Sequence, residues 1–272
     1  MATDRIREAF EKTKIEGRIA LAPYVTIGFP ELGLTTDIVR SVVDAGADVV
    51  ELGVPFSDPL GDGPTIQASV HQALENGVTP ETCIEAVKDI RADGIDVPIV
   101  FMGYYNTIFN MGLDEYCNAV SEAGVDGLIA VDLPATEAGP LQDSCDKAGL
   151  SLIPLVALTS TDHAIEHACQ RAKGFVYCIS VLGVTGARAT VSSRVEGLVK
   201  NVRKYTDLPI AIGFGISTAD HVAEVAGYAD GVAIGTQVIN TLADGDPSDA
   251  ANRVNSYIKT LIPGTPRKGV AN

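Results

Sequence analysis

Eight short apolar runs, each followed by a segment of helical spacing, set the strongest limit on how this chain folds. The runs span Ile19–Ile27, Asp48–Gly53, Val97–Met102, Gly127–Val131, Leu150–Val156, Phe175–Ser180, Leu208–Gly213 and Gly231–Gly235. Most are near-continuous rather than alternating, as expected of strands covered on both faces. Several begin from similar turns: DAGADVVELG, EAGVDGLIAV, KAGLSLIPLV and AGYADGVAIG. In each, a glycine closes the preceding helix and the next residues open a strand. Helical spacing recurs at Thr35–Asp44, Glu81–Ala92, Leu113–Glu122, Ala219–Ala226 and Ser248–Leu261. Unbroken strand-then-helix units predict an α/β protein with one (β/α)8 TIM barrel. A doubly wound open sheet is the alternative. The charged, amphipathic start, MATDRIREAFEK, adds an extra N-terminal helix. No linker or charge block divides the chain, so residues 1–262 read as one catalytic domain and 263–272, PGTPRKGVAN, as a frayed tail.

Composition narrows the partners. Twenty basic against thirty-five acidic residues give a net charge of −15, which argues against nucleic acid and anionic membrane. Five cysteines, at 83, 117, 145, 169 and 178, form no Cys-x-x-Cys pair and read as reduced, buried thiols. The start lacks the apolar core of a signal peptide, and no run approaches the roughly eighteen apolar residues that span a bilayer. A soluble cytoplasmic protein is the expectation.

The second run carries the chemistry. In DVVELGVPFSDPLGDGPTIQ, Asp48 to Gln67, a glutamate stands inside an apolar strand and more carboxylates follow on a proline- and glycine-rich loop. Alternation puts Val49, Glu51 and Gly53 on one face and Val50 and Leu52 on the other. With Val50 and Leu52 against the helices, Glu51 points into the barrel near the C-terminal end of its strand. Desolvation there raises a carboxyl pKa and makes a general acid. The plain alternative is a structural glutamate held by hydroxyls or amides. Asp62, between Gly61 and Gly63, reads either as a movable second carboxylate or as a turn or N-cap residue before a helix starting near Pro64. Asp58, in SDP, reads as a turn former. The interval from the second run to the third is the longest, so an extended loop follows strand 2 on the active-site face.

Three glycine-bearing turns lie at the ends of later runs: GVTGAR (Gly183–Arg188), GFGIST (Gly213–Thr218) and AIGTQV (Ala233–Val238). Barrels of this kind bind phosphate after strands 7 and 8 with backbone N–H groups. Tight-turn glycines are the alternative reading. His163 and His167, four apart in DHAIEH, lack a third ligand and read as a solvated helix face. Tyr177 shares a strand face with Phe175 and Ile179 and is either barrel core or a substrate contact. Nothing in the motifs calls for a metal or a cofactor.

Over nearly its whole length the chain resembles the tryptophan synthase α-subunit family. VELGVPFSDPLGDGPTIQ is close to a family signature, and GVTGAR, GFGIS and the strand-8 GT turn fall where the family has them. The resemblance implies cleavage of indole-3-glycerol phosphate to indole and glyceraldehyde 3-phosphate. It implies Glu51 as acid–base and Asp62 as the carboxylate facing the indole nitrogen. As substrate-binding positions it implies Tyr24, Tyr104, Tyr177, Thr185, Gly186, Phe214, Gly215, Gly235 and Thr236. Also implied is a tryptophan synthase β subunit, in an α2β2 tetramer, docked over Pro55–Asp58 and a Tyr104–Gly112 loop. The glycines beside Asp62 suggest that its loop wanders in the isolated chain. Departures are Phe29, where the family often has Asp, Val181 and Leu182, where many members have Arg, and Tyr24, where bacterial relatives often have Phe. A stand-alone lyase, or a non-catalytic phosphate-binding activator of the β subunit, are the alternatives.

Overall fold

The computed structural model describes residues 4–179, 188–213 and 215–267. The elements run α1 (Arg5–Ile15), β1 (Ala20–Thr26), α2 (Thr35–Asp44), β2 (Val50–Gly53), α3 (Pro64–Glu75), α4 (Pro80–Ala92) and β3 (Ile99–Gly103). Next come α5 (Tyr105–Met111), α6 (Leu113–Ala123), β4 (Gly127–Ala130), α7 (Gly139–Ala148), β5 (Ser151–Leu152), β6 (Leu155–Ala157) and α8 (Asp162–Gln170). The chain ends with β7 (Val176–Ile179), α9 (Arg188–Val202), β8 (Ile210–Gly213), α10 (Ala219–Val225), β9 (Gly231–Ile234), α11 (Thr236–Ala243) and α12 (Ala250–Leu261).

All strand pairs are parallel, in the order β5-β4-β3-β2-β1-β9-β8-β7-β6. The two ends of that order are halves of one stave, interrupted at Ile153–Pro154. Ile153 N–H donates to Leu128 O at 2.9 Å on one side, and Pro154 O accepts from Tyr177 N–H at 3.0 Å on the other. The proline has no N–H for the ladder, so the stave breaks there while the ring stays closed. The sheet is the expected eight-staved barrel.

Alternation along the staves divides the apolar side chains into two clusters. Leu21, Val50, Leu52, Ile99, Phe101, Leu128, Ile212 and Val232 pack outward against the helices. Ala20, Ala22, Val49, Val100, Ile129, Tyr177, Ala211 and Ala233 fill the inside. Ile6 and Phe10 of α1 join the inner set, with the Phe10 ring 5.5 Å from that of Phe175. The extra N-terminal helix therefore plugs the barrel's lower end.

The recurring Asp in the strand-opening turns has a structural explanation. Asp48 accepts Leu21 N–H at 3.0 Å and a two-pronged bond from Arg18 at 2.6 and 2.7 Å. Asp126 accepts Ile99 N–H at 2.8 Å, Arg91 at 2.9 Å and Arg5 at 3.0 Å. Asp230 accepts Ile210 N–H at 2.9 Å and is paired with Arg203 and Arg267. Each carboxylate ties the start of its own stave to a neighbouring stave, and arginine neutralises it in a half-dry setting.

Three local expectations change. Residues 263–267 are not frayed: Ile19 N–H donates to Thr265 O at 2.9 Å, and Arg267 N–H donates to Gly17 O at 2.8 Å. Only 268–272 of the expected tail lie outside the described residues. The last helix starts at Ala250 rather than Ser248, because the Asp246 carboxylate captures Ser248 N–H at 2.9 Å in a short 3-10 turn. The expected Tyr104–Gly112 loop is mostly the helix α5, whereas the extended loop after β2 is present as residues 54–63, ahead of α3 and α4.

Candidate active site

Glu51 sits in β2 between Tyr24 of β1 and Val100 of β3, with which it is in register. Val50 and Leu52 face the helices and Val49 belongs to the interior, so Glu51 shares the interior side. It is 1% exposed, and among the described residues neither carboxyl oxygen has a hydrogen-bond partner. Burial pushes its pKa up to about 8. The reading of Glu51 as a hydrogen-bonded structural residue finds no partner to support it. A neutral acid with both oxygens uncommitted can give a proton at neutral pH and take it back.

Asp62 lies on the loop between β2 and α3. Gly63 is the N-cap of α3 and Pro64 its first residue, so Asp62 is not the helix cap. Its N–H donates to Pro59 O at 3.1 Å, and Gln67 Nε2 donates to Asp62 O at 2.9 Å and to Pro59 O at 3.2 Å. The carboxylate accepts the Tyr104 hydroxyl at 2.8 Å, and that same hydroxyl accepts Gly61 N–H at 2.9 Å. Burial raises the Asp62 pKa and the Tyr104 bond opposes it, leaving the group above its ordinary value. Asp58 stays exposed and accepts Ser57 Oγ–H at 2.6 Å, as a turn residue does.

Two phenols complete the wall. Tyr24 and Tyr177 are 6% and 8% exposed. Burial raises the pKa of both, and the negative charges of Glu51 and Asp62 add to it. Strand-end glycines make the space: a Cβ on Gly53 would lie 2.0 Å from Tyr24 Oη, and one on Gly213 would lie 2.1 Å from Tyr177 Oη. Tyr24 Oη accepts Thr26 Oγ1–H at 3.4 Å, and Thr26 is 2.8 Å from Ser69 Oγ on α3. The sequence reading missed that polar connection, together with Gln67 and the Phe56 ring stacked 5.2 Å from Tyr104. Its only signal was the hydroxyls themselves, far apart along the chain.

Beyond adjacent staves β8 and β9, Gly215 takes a left-handed φ of +72° with open space where a side chain would project. Gly235 is the N-cap of α11, with no side chain bonded to the first amides, and its Cβ position is 3.8 Å from Tyr24 Cβ. Thr236 is exposed at the first turn of that helix. Thr185, Gly186 and Phe214 lie outside the described residues. Among the described residues no cluster of three His, Cys, Asp or Glu side chains is placed to hold a metal, His163 and His167 included.

A closed parallel barrel, plugged below, with a buried acid at the C-terminal end of one stave and glycine turns after the last two, defines the class of (β/α)8 barrels with a working mouth. A family model described as tryptophan synthase alpha chain matches residues 10–262. The chain is 44% identical to the tryptophan synthase alpha chain of Chloroflexus aggregans, over 97% of this chain and 99% of that one. It is 41% identical to the tryptophan synthase of Saccharomyces cerevisiae, over 98% of this chain but 38% of that longer protein. The crystal structure of the Legionella pneumophila tryptophan synthase alpha chain superposes with a TM-score of 0.89 at 30% identity, covering 99% of this chain and 100% of that one. The chain belongs to the tryptophan synthase alpha chain family, which gives it a lyase role in tryptophan synthesis.

Proposed function

We propose that this chain cleaves indole-3-glycerol phosphate by a retro-aldol reaction, releasing indole and glyceraldehyde 3-phosphate. The carrying observation is that Glu51, buried and without a partner among the described residues, and Asp62, half-buried and hydrogen-bonded, both act on the same two phenols, Tyr24 and Tyr177. Breaking the carbon–carbon bond requires a proton at indole C3, which turns the ring into an indolenine cation. Glu51, with a pKa of about 8, holds that proton at neutrality. Asp62 accepts the positive charge that grows on the ring nitrogen, and the Tyr104 bond favours its charged form. Once the side chain departs as the aldehyde, its hydroxyl proton returns to the carboxylate of Glu51. Gly215, Gly235, Thr236 and the uncapped start of α11 suit the phosphate, together with Thr185, Gly186 and Phe214 by family position.

The indole passes to a β subunit. Support comes from the yeast relative, where the matching segment is 38% of a longer tryptophan synthase. It also comes from Leu60, 91% exposed, and Phe109, 63% exposed, two large apolar side chains beside the mouth. The five free, buried cysteines suit a reducing compartment such as the cytoplasm. The test is indole release from the purified chain, with and without a β subunit, beside Glu51→Gln. Turnover falls roughly a hundredfold or more in the variant. Near-normal turnover there removes Glu51 from the mechanism.

A further inference from the structure

Tyr104 was expected among the substrate contacts, but its hydroxyl is already committed. It donates its single proton to Asp62 Oδ2 at 2.8 Å and accepts Gly61 N–H at 2.9 Å. One oxygen atom thus holds both the backbone and the carboxylate of neighbouring residues in the same loop. The remaining bonds of residues 57–62 stay inside the loop or reach the first turns of α3. Among the described residues, only the two bonds of Tyr104 carry this stretch across to the barrel wall.

Tyr104 is well built as an anchor. It is 5% exposed, follows the last residue of β3 directly and stacks its ring on Phe56. The stretch around Asp62 has little else: Gly61 and Gly63 offer no side chain, and Leu60 projects into solvent. A Cβ on Gly61 would stand 3.3 Å from Tyr104 Oη, so the small residue also permits the close approach. The expectation of a wandering loop therefore meets a specific fastening supplied by this chain itself.

We propose that Tyr104 is a positioning residue that acts through Asp62, fastening residues 57–62 and the Asp62 carboxylate to the end of β3 rather than touching substrate. This rests on the reading of Asp62 as the charge-facing carboxylate. Tyr104→Phe keeps the ring and its stack and deletes both bonds. In the full chain, kcat for indole release falls roughly ten- to hundredfold, the range for a hydrogen bond to a charged group. KM and the affinity for glycerol 3-phosphate stay within about twofold, since the positioned group acts in the transition state. The acid limb of the rate profile moves to higher pH, because the carboxylate has lost a donor that favours its charged form.

Two further measurements separate this role from general damage. Gly61 loses its acceptor in Tyr104→Phe, so its amide exchanges with solvent roughly tenfold faster while barrel amides keep their protection. Tyr104→Phe combined with Asp62→Asn is no slower than Asp62→Asn alone, because one residue acts through the other. Additive losses, a loss confined to KM, or an unchanged Gly61 amide overturns the proposal. A wild-type chain that releases no indole defeats the functional reading instead, and the Gly61 exchange comparison, which needs no turnover, still decides the fastening.

Discussion

Glu51 destabilises the folded chain at neutral and alkaline pH, and its replacement exposes how much. Its carboxyl titrates at an ordinary 4.5 when unfolded and at about 8 in the barrel. Between those values the native state holds a proton at this site that the unfolded state lacks. Native stability therefore falls with rising pH by about 1.4 kcal/mol per pH unit. The contribution is intact below pH 4.5 and fully lost above about 8, a total of about 5 kcal/mol. Glu51→Gln has the same shape and no titration. Its buried amide adds a pH-independent cost of about 1–3 kcal/mol, so the readout is the slope and not the offset. Urea unfolding of both proteins at half-unit steps from pH 5 to 9 gives the difference curve. The variant gains on the wild type by about 1.4 kcal/mol per pH unit up to pH 8, then levels off. Parallel curves across that range would show that Glu51 is ionised in the folded chain, and the acid role would fall with it.

Other outcomes follow from the same geometry. Indole release declines as pH rises through about 8, where Glu51 loses its proton, and a rate flat to pH 9.5 contradicts this. Asp126→Ala removes the acceptor of Ile99 N–H and the carboxylate shared by Arg5 and Arg91, which keep Asp96 and backbone carbonyls as partners, lowering stability by about 1–3 kcal/mol in denaturant titration; a loss under about 0.5 kcal/mol would mean the clamp is idle. Gly53→Ala drives a methyl into the Tyr24 ring and costs about 1–3 kcal/mol, partly recovered by Tyr24→Leu; fully additive losses would show that the two do not collide. Gly235→Val weakens glycerol 3-phosphate binding at least tenfold by calorimetry while the unfolding midpoint holds, and unchanged affinity removes Gly235 from the cradle.

Much of this protein was legible from residues close together in the chain. The apolar runs are two-sided because each stave is buried by barrel interior and by helices, so Val50 and Leu52 face one cluster and Val49 the other. A period of two therefore sufficed to aim Glu51 inward. The tertiary structure decided what joins residues far apart. It brought Tyr104 to Asp62 across forty-two positions, set two phenols over Gly53 and Gly213, and returned 265–267 to the residues just before the first strand. Alternation and turn chemistry act within a few residues and are written locally. Which side chains meet across a closed ring depends on the register of every stave between them, and no single segment carries that register.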